Sequence, residues 1–168
     1  LGWDGVVFWS NGATGFQNLT VARNFVYNFF AYGIEITNVT DSVIEENEIV
    51  AGPEYYGIGI LLSAWASAGA GGLERVAARG NRISTVDNSM GIFCYGYALN
   101  HNTTLAGVLL ENNDLQTHAL SINFWEVGGA GQVASRDHTV RGNRITVTDP
   151  QSNPYGGAVM RFQQVGGV

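Results

Sequence analysis

Short runs of alternating apolar residues recur along the chain, each opened by a small residue. They read "GVVF" at 5, "GIEI" at 33, "GIGI" at 57, "GIFC" at 91, "ALSINF" at 119 and "GAVM" at 157. A period of two over so few residues predicts strands with one buried face. A second pattern follows each of the first five runs at a variable distance. It is an asparagine with an apolar residue three places before it and another two places after it. The asparagines are Asn24 in "VARNFV", Asn47 in "IEENEI", Asn81 in "ARGNRI", Asn113 in "LENNDL" and Asn143 in "VRGNRI". The apolar columns are Val21, Ile44, Ala78, Leu110 and Val140 before them, and Val26, Ile49, Ile83, Leu115 and Ile145 after them.

Two strand patterns that alternate along the chain describe a coil returning to the same place each time. Helical solenoids are excluded, because no window carries a sustained 3.6-residue apolar stripe. The Leu-x-Leu framework of leucine-rich repeats is also missing. What remains is an all-β chain, a right-handed parallel β-helix of about five to six coils with an internal asparagine ladder. One such domain is expected over residues 1–168. It reads as a fragment of a longer chain, since it opens on Leu1 and in mid-coil.

The features "GIEI…SVIEENEI" and "GIFC…GVLLENNDL", with their relatives over nearly the whole chain, resemble the parallel β-helix repeat proteins of the pectate-lyase-like superfamily. The resemblance implies that the recurrent asparagine stacks at a sharp turn between two strands, each amide bonding to the next. It also implies polysaccharide as the partner class, an extracellular or cell-surface location, and polysaccharide lyase or glycoside hydrolase as the activity if the chain is an enzyme. A calcium ion enters only by this resemblance, since the residues themselves call for no cofactor. Motifs of the related enzymes are mostly missing. No paired-Asp pattern or acidic cation-binding cluster is visible, which leaves catalysis open.

Stacking the coils on the asparagine places charges in register. Two residues before it the column reads Ala22, Glu45, Arg79, Glu111 and Arg141. One residue after it, the column reads Phe25, Glu48, Arg82, Asp114 and Arg144. From the second coil onward both columns alternate in sign, so each arginine is expected to meet a carboxylate above or below it. The repeated "RGNRI" at 79 and 141 is then a register code and not a duplicated anion site.

Eight basic residues, all arginine, against fourteen acids give a net charge of −6. That balance argues against nucleic acid as a partner. No apolar run reaches the roughly 18 residues a membrane-spanning helix needs, so no membrane insertion is expected. A single cysteine, Cys94, excludes an internal disulfide and falls on an inward parity position.

Sites must therefore lie away from the charge columns. The outward face of the G-I-x-I strands is aromatic and nearly neutral, with Trp9, Glu35, Phe93, Tyr95, Asn123, Trp125 and Arg161 among its positions. Glu35 and Arg161 lie about four coils, or roughly 19 Å, apart, too far for a glycosidase pair. The segments "SAWASAGAGGLER", "YGYALNHNTTLAG" and "WEVGGAGQVASRD" are expected to be enlarged loops stacked into one wall. They carry Trp65, Tyr97 and Trp125, whose rings suit sugar faces. The candidate ligand-binding set is Trp65, Tyr95, Tyr97, His101, Asn123, Trp125 and Arg136, and the best carboxylate pair is Glu126 with Asp137. His138 reads as a core or end-coil histidine. Two functions follow. One is a domain that recognises or depolymerises an extracellular polysaccharide. The other is a non-catalytic structural or adhesive stalk of a larger cell-surface or phage-tail-like assembly. Either requires further domains or chains to cap the open ends of the helix.

Overall fold

The computed structural model describes residues 4–11, 15–52, 57–66, 69–86, 89–98, 100–118, 120–149 and 159–165. Its strands follow one another coil by coil. The first coil holds β1 (Asp4–Phe8), β2 (Phe16–Gln17), β3 (Thr20–Ala22) and β4 (Phe25–Tyr27). The second holds β5 (Tyr32–Thr37), β6 (Val39–Glu45) and β7 (Glu48–Val50), and the third β8 (Ile58–Ala66), β9 (Gly71–Arg79) and β10 (Arg82–Ser84). The fourth runs through β11 (Met90–Ala98), β12 (Thr103–Ala106), β13 (Leu109–Glu111) and β14 (Asp114–Thr117). The fifth runs through β15 (Ile122–Gly128), β16 (Val133–Arg136), β17 (Thr139–Arg141) and β18 (Arg144–Val147), and β19 (Met160–Val165) returns to the starting side. The "GAVM" run lies partly outside the described residues.

All strand pairings are parallel and join one coil to the next. They build three sheets. The first stacks β1-β5-β8-β11-β15-β19, the third stacks β4-β7-β10-β14-β18, and the second contains the remaining strands. The chain is thus the parallel β-helix that the two alternating patterns predict. Its core is filled from all three sides, by Ile34, Ile60, Ile92 and Ile122 of the first sheet, Ile44, Leu73, Leu105 and Leu110 of the second, and Ile49, Ile83 and Leu115 of the third. Fully burying each such side chain contributes about 1.5–3 kcal/mol.

The five asparagines form the expected ladder between the second and third sheets. Asn81 shows the repeating unit. Its Nδ2 donates backward to Ile44 O (2.9 Å) and forward to Asn113 Oδ1 (2.9 Å). Its Oδ1 accepts from Asn47 N (3.1 Å) and Asn47 Nδ2 (3.0 Å). Two donors and two lone pairs are therefore all used, which is what a fully buried amide requires. Asn47 and Asn113 repeat the pattern, while Asn24 and Asn143 sit at its two ends. The residue before each ladder asparagine turns the corner with positive φ: Arg23 (55°), Glu46 (55°), Gly80 (62°), Asn112 (54°) and Gly142 (64°). "RGNRI" therefore spells an outward arginine, a left-handed turn, a ladder amide, a second outward arginine and a core isoleucine. Glycine suits its turn because it enters that region without Cβ strain.

A second column of left-handed residues bends the second sheet, at Asn18 (56°), Asp41 (51°), Arg75 (53°), Gly107 (61°) and Asp137 (60°). Gly33, which opens "GIEI", and Gly59, inside "GIGI", have a different role. A Cβ on Gly59 would overlap Ile83 Cγ2, and one on Gly33 would overlap Ile49 Cγ2. Parity alone places Gly59 outward, but it marks the corner where the first sheet closes on the third.

Replacing Asn81 by Ala removes four buried hydrogen bonds, to Ile44 O, Asn113 Oδ1, Asn47 N and Asn47 Nδ2. It is expected to cost about 3 kcal/mol or more, whereas Asn24→Ala, at the exposed end of the ladder, costs less than about 1 kcal/mol. Chemical denaturation of the two variants measures the difference.

Candidate functional site

The solenoid presents three outer faces, and their electrostatics differ. On the second sheet Arg79 Nε donates to Glu45 (2.8 Å) and Arg141 Nε to Glu111 (2.6 Å), with Glu45, Arg79, Glu111 and Arg141 in direct register. At the bend of the same sheet Arg75 grips Asp41 with two bonds, 2.6 and 2.9 Å. That pair holds the Asp41 carboxyl below its ordinary value and the Arg75 guanidinium above its own. On the third sheet Glu48, Arg82, Asp114 and Arg144 stack in register beside an open trough of about 500 Å³, and Arg82 lies 3.8 Å from Glu48. Its charges alternate along the stack and neutralise one another, so this trough offers a ligand no net field.

The first sheet is different. Side chains of alternate residues project from it, and strands about 4.8 Å apart bring rings on neighbouring coils into contact. Trp65 packs on Tyr97 with centroids 4.4 Å apart, and Tyr95 lies 5.4 Å from Phe93, 5.9 Å from Tyr97 and 6.0 Å from Trp125. Trp65, Phe93, Tyr95, Tyr97 and Trp125 are all half-buried, so each presents part of its ring to solvent. Such contacts contribute about 0.5–1.5 kcal/mol each beyond area burial, and they hold the rings as one continuous surface.

Toward the first coil this surface dips into a groove of about 310 Å³ lined by Trp9, Tyr32, Glu35, Trp65, Phe93 and Tyr95, with Leu61 and Ser63 as its floor. Glu35 is the lining carboxylate. Thr37 Oγ1 donates to it at 3.2 Å and lies 2.6 Å from Ser63 Oγ. Burial raises the Glu35 carboxyl above its ordinary value; the Thr37 bond opposes that rise and the nearby Asp4 charge adds to it. Asp4, which accepts the Tyr32 backbone N–H at 3.1 Å, is likewise raised by burial. The Tyr32 hydroxyl is raised first by burial and then by both carboxylates. Burial raises Tyr95 too. Asp4, Tyr32 and Glu35 thus form one electrostatic group at the end of the aromatic face.

The structure divides the sequence-derived candidates. Trp65 and Tyr95 line the groove, and Tyr97 and Trp125 extend the ring surface beside it. These rings lie within β8, β11 and β15, not on loops: the expected enlarged loops are largely strand extensions, with β8 and β11 each nine residues long against six for β5. Asn123 shares the outward parity but is buried, its Nδ2 3.9 Å from Met90 Sδ. Among the described residues its Oδ1 and the Trp125 Nε1 are buried without a hydrogen-bond partner. His101 is exposed in the connection between β11 and β12, beside Asn102, whose Oδ1 accepts the Gln132 N–H at 3.0 Å. Arg136 ends β16 and pairs with Asp137 at 3.5 Å. Glu126 lies on β15 with the parity of the core residue Phe124, while Asp137 occupies the left-handed bend of the second sheet. That pair is therefore split between two sheets.

His138 is a packed histidine. Its ring lies 4.9 Å from that of Phe124, Nδ1 accepts the Val108 N–H at 3.4 Å, and Nε2 lies 2.9 Å from Ser135 Oγ. Burial lowers its pKa. The Cys94 thiol is fully buried and pushed up by desolvation. The residues that sequence reasoning left out of the site, Trp9, Tyr32, Glu35 and Phe93, come from three different coils. Their signal was the outward parity that Trp9, Glu35 and Phe93 share. Among the described residues no group of three or more His, Cys, Asp or Glu gathers to hold a metal ion, and the Asp4–Glu35 pair alone does not supply the oxygen ligands that calcium takes.

A carboxyl raised in the folded state binds its proton more tightly there than in the unfolded chain. Its contribution to stability is complete below the unfolded pKa and is lost as pH rises through the folded one. Glu35→Gln is therefore expected to reduce the loss of stability as pH rises through that range, and a carbon-detected NMR titration should place Glu35 above its ordinary value. His138 has the opposite sign: its contribution is present above the ordinary histidine value of 6.5 and is lost as pH falls.

No protein-family model matches the chain, no curated protein matches it, and no solved structure matches it.

Proposed function

We propose that the outer face of the first sheet binds a polysaccharide, in an extracellular or cell-surface setting, and that the chain belongs with the pectate-lyase-like β-helices. One observation carries the reading. Five aromatic rings, Trp65, Phe93, Tyr95, Tyr97 and Trp125, form a continuous half-exposed surface on rigid, fully paired strands. Sugar rings present apolar C–H faces with hydroxyl rims, and flat aromatic surfaces with a few polar groups complement them. The buried asparagine ladder supports the superfamily placement. Recognition is favoured over depolymerisation, because Glu126 and Asp137 occupy different sheets.

A second reading, a structural or adhesive stalk, draws on the two ends of the solenoid. Phe16, Phe25 and Tyr27 are exposed on the first coil, and Phe162 is 63% exposed on β19. Further coils, domains or chains docked there would cover these side chains and pair the terminal strands.

Trp65→Ala and Trp125→Ala are each expected to weaken glycan binding about tenfold, equivalent to about 1.4 kcal/mol, without changing the fold. Isothermal titration calorimetry against neutral, amine-bearing and acidic oligosaccharides, with circular dichroism as the folding control, measures this. Absence of binding to every glycan class overturns the first reading and leaves the stalk.

A further inference from the structure

The groove beside β1 and β5 has a chemical character that the aromatic surface as a whole does not. Tyr32, Trp9, Trp65 and Tyr95 surround a half-buried carboxylate, Glu35, which accepts a hydrogen bond from Thr37. Asp4 stands near enough to repel it, and the two share Tyr32 as a neighbour. Among the described residues no arginine or histidine pairs with Glu35. Arg79, Arg141, Arg75 and Arg82 have carboxylate partners on the other two sheets. Arg161 occupies the same outward column as Glu35 but is separated from it by β8, β11 and β15.

A carboxylate drawn partly out of water with no countercharge is a poor arrangement for stability. It becomes favourable when a cation arrives from outside. Aromatic faces attract the same cation through their quadrupoles, so Trp9, Trp65, Tyr32 and Tyr95 would act with Glu35 and not merely beside it. A polyanion meets the reverse situation: two like charges at the groove and a net charge of −6 over the chain.

We propose that this groove selects glycan units carrying a free amine, with the ammonium of a hexosamine held against Glu35 and its pyranose face against Trp65 and Tyr95. The assignment rests on the glycan-binding reading of the same face and adds the substrate class to it. Ser63 Oγ on the groove floor, already tied to Thr37, places a hydroxyl near the sugar rim. Uronate polymers are disfavoured by the same electrostatics that admit the amine.

The test is calorimetric titration at pH 6 with β-1,4 oligomers of glucosamine, of N-acetylglucosamine and of galacturonate. Glucosamine oligomers are expected to bind about tenfold tighter than the acetylated series, with uronates weakest, a ratio that added salt reduces. Glu35→Gln should abolish the preference by weakening glucosamine-oligomer binding about tenfold. Glu46→Gln removes an equal charge at the exposed bend before Asn47 and should leave the preference intact. Equal binding of the amine-bearing and acetylated series, tightest binding of uronates, or a preference that survives Glu35→Gln overturns this proposal but not the glycan reading. Failure of every oligomer to bind overturns both.

Discussion

The stacked asparagine amides set the geometry on which the rest of the molecule depends. Each buried amide has two donors and two acceptor lone pairs, and only one arrangement of neighbouring coils uses all four. Asn81 Nδ2 reaches Ile44 O and Asn113 Oδ1 only when Ile44, Ala78 and Leu110 lie above one another and Ile49, Ile83 and Leu115 do the same. A slip of one residue would bury the charged columns and expose the isoleucines, since side chains alternate between faces. The ladder therefore fixes the registration of core, turn and surface together.

The surface charges reinforce that registration from outside. Glu45, Arg79, Glu111 and Arg141 alternate down one edge, and Glu48, Arg82, Asp114 and Arg144 down another. Exposed pairs of this kind stabilise by only about 0.2–1 kcal/mol each, but like charges would meet in a misaligned stack. Arg75 with Asp41 adds a third such contact at a bend where both residues adopt left-handed backbone. The alternating charge columns thus lie on the second and third sheets, while the outer face of the first sheet carries the contiguous aromatic rings.

What the sequence disclosed follows from which features are periodic. Parity and the asparagine spacing located the ladder, the charge columns and the inward positions of Cys94 and His138, because each depends only on local alternation. The bend column of Asn18, Asp41, Arg75, Gly107 and Asp137 is not legible as a pattern because a left-handed residue need not be glycine, and four residue types hide one demand on the backbone. Connection lengths misled for a related reason. The extra residues around Trp65 and Tyr97 continue the alternation of β8 and β11 with small residues such as Ala64 and Gly96 at the inward positions, so they read as loops while folding as strand. Glu126 and Asp137 looked like a pair because one short segment holds both, yet the chain turns between them onto another sheet.

The groove illustrates what a rigid solenoid permits. Fully paired parallel strands cannot close around a ligand, so selectivity must come from side chains already in place. Coil stacking supplies them by addition: β1 or its flank brings Asp4 and Trp9, β5 brings Tyr32 and Glu35, β8 brings Trp65, and β11 brings Phe93 and Tyr95. Each is unremarkable in its own coil, and only the sum makes an aromatic surface around an uncompensated carboxylate. The trough on the third sheet is larger yet electrically balanced, because register pairs every arginine column with acids. The first sheet has no such alternation: the column through Glu35 reads Val7, Glu35, Leu61, Phe93, Asn123 and Arg161, so neither neighbour of this carboxylate in register carries a charge.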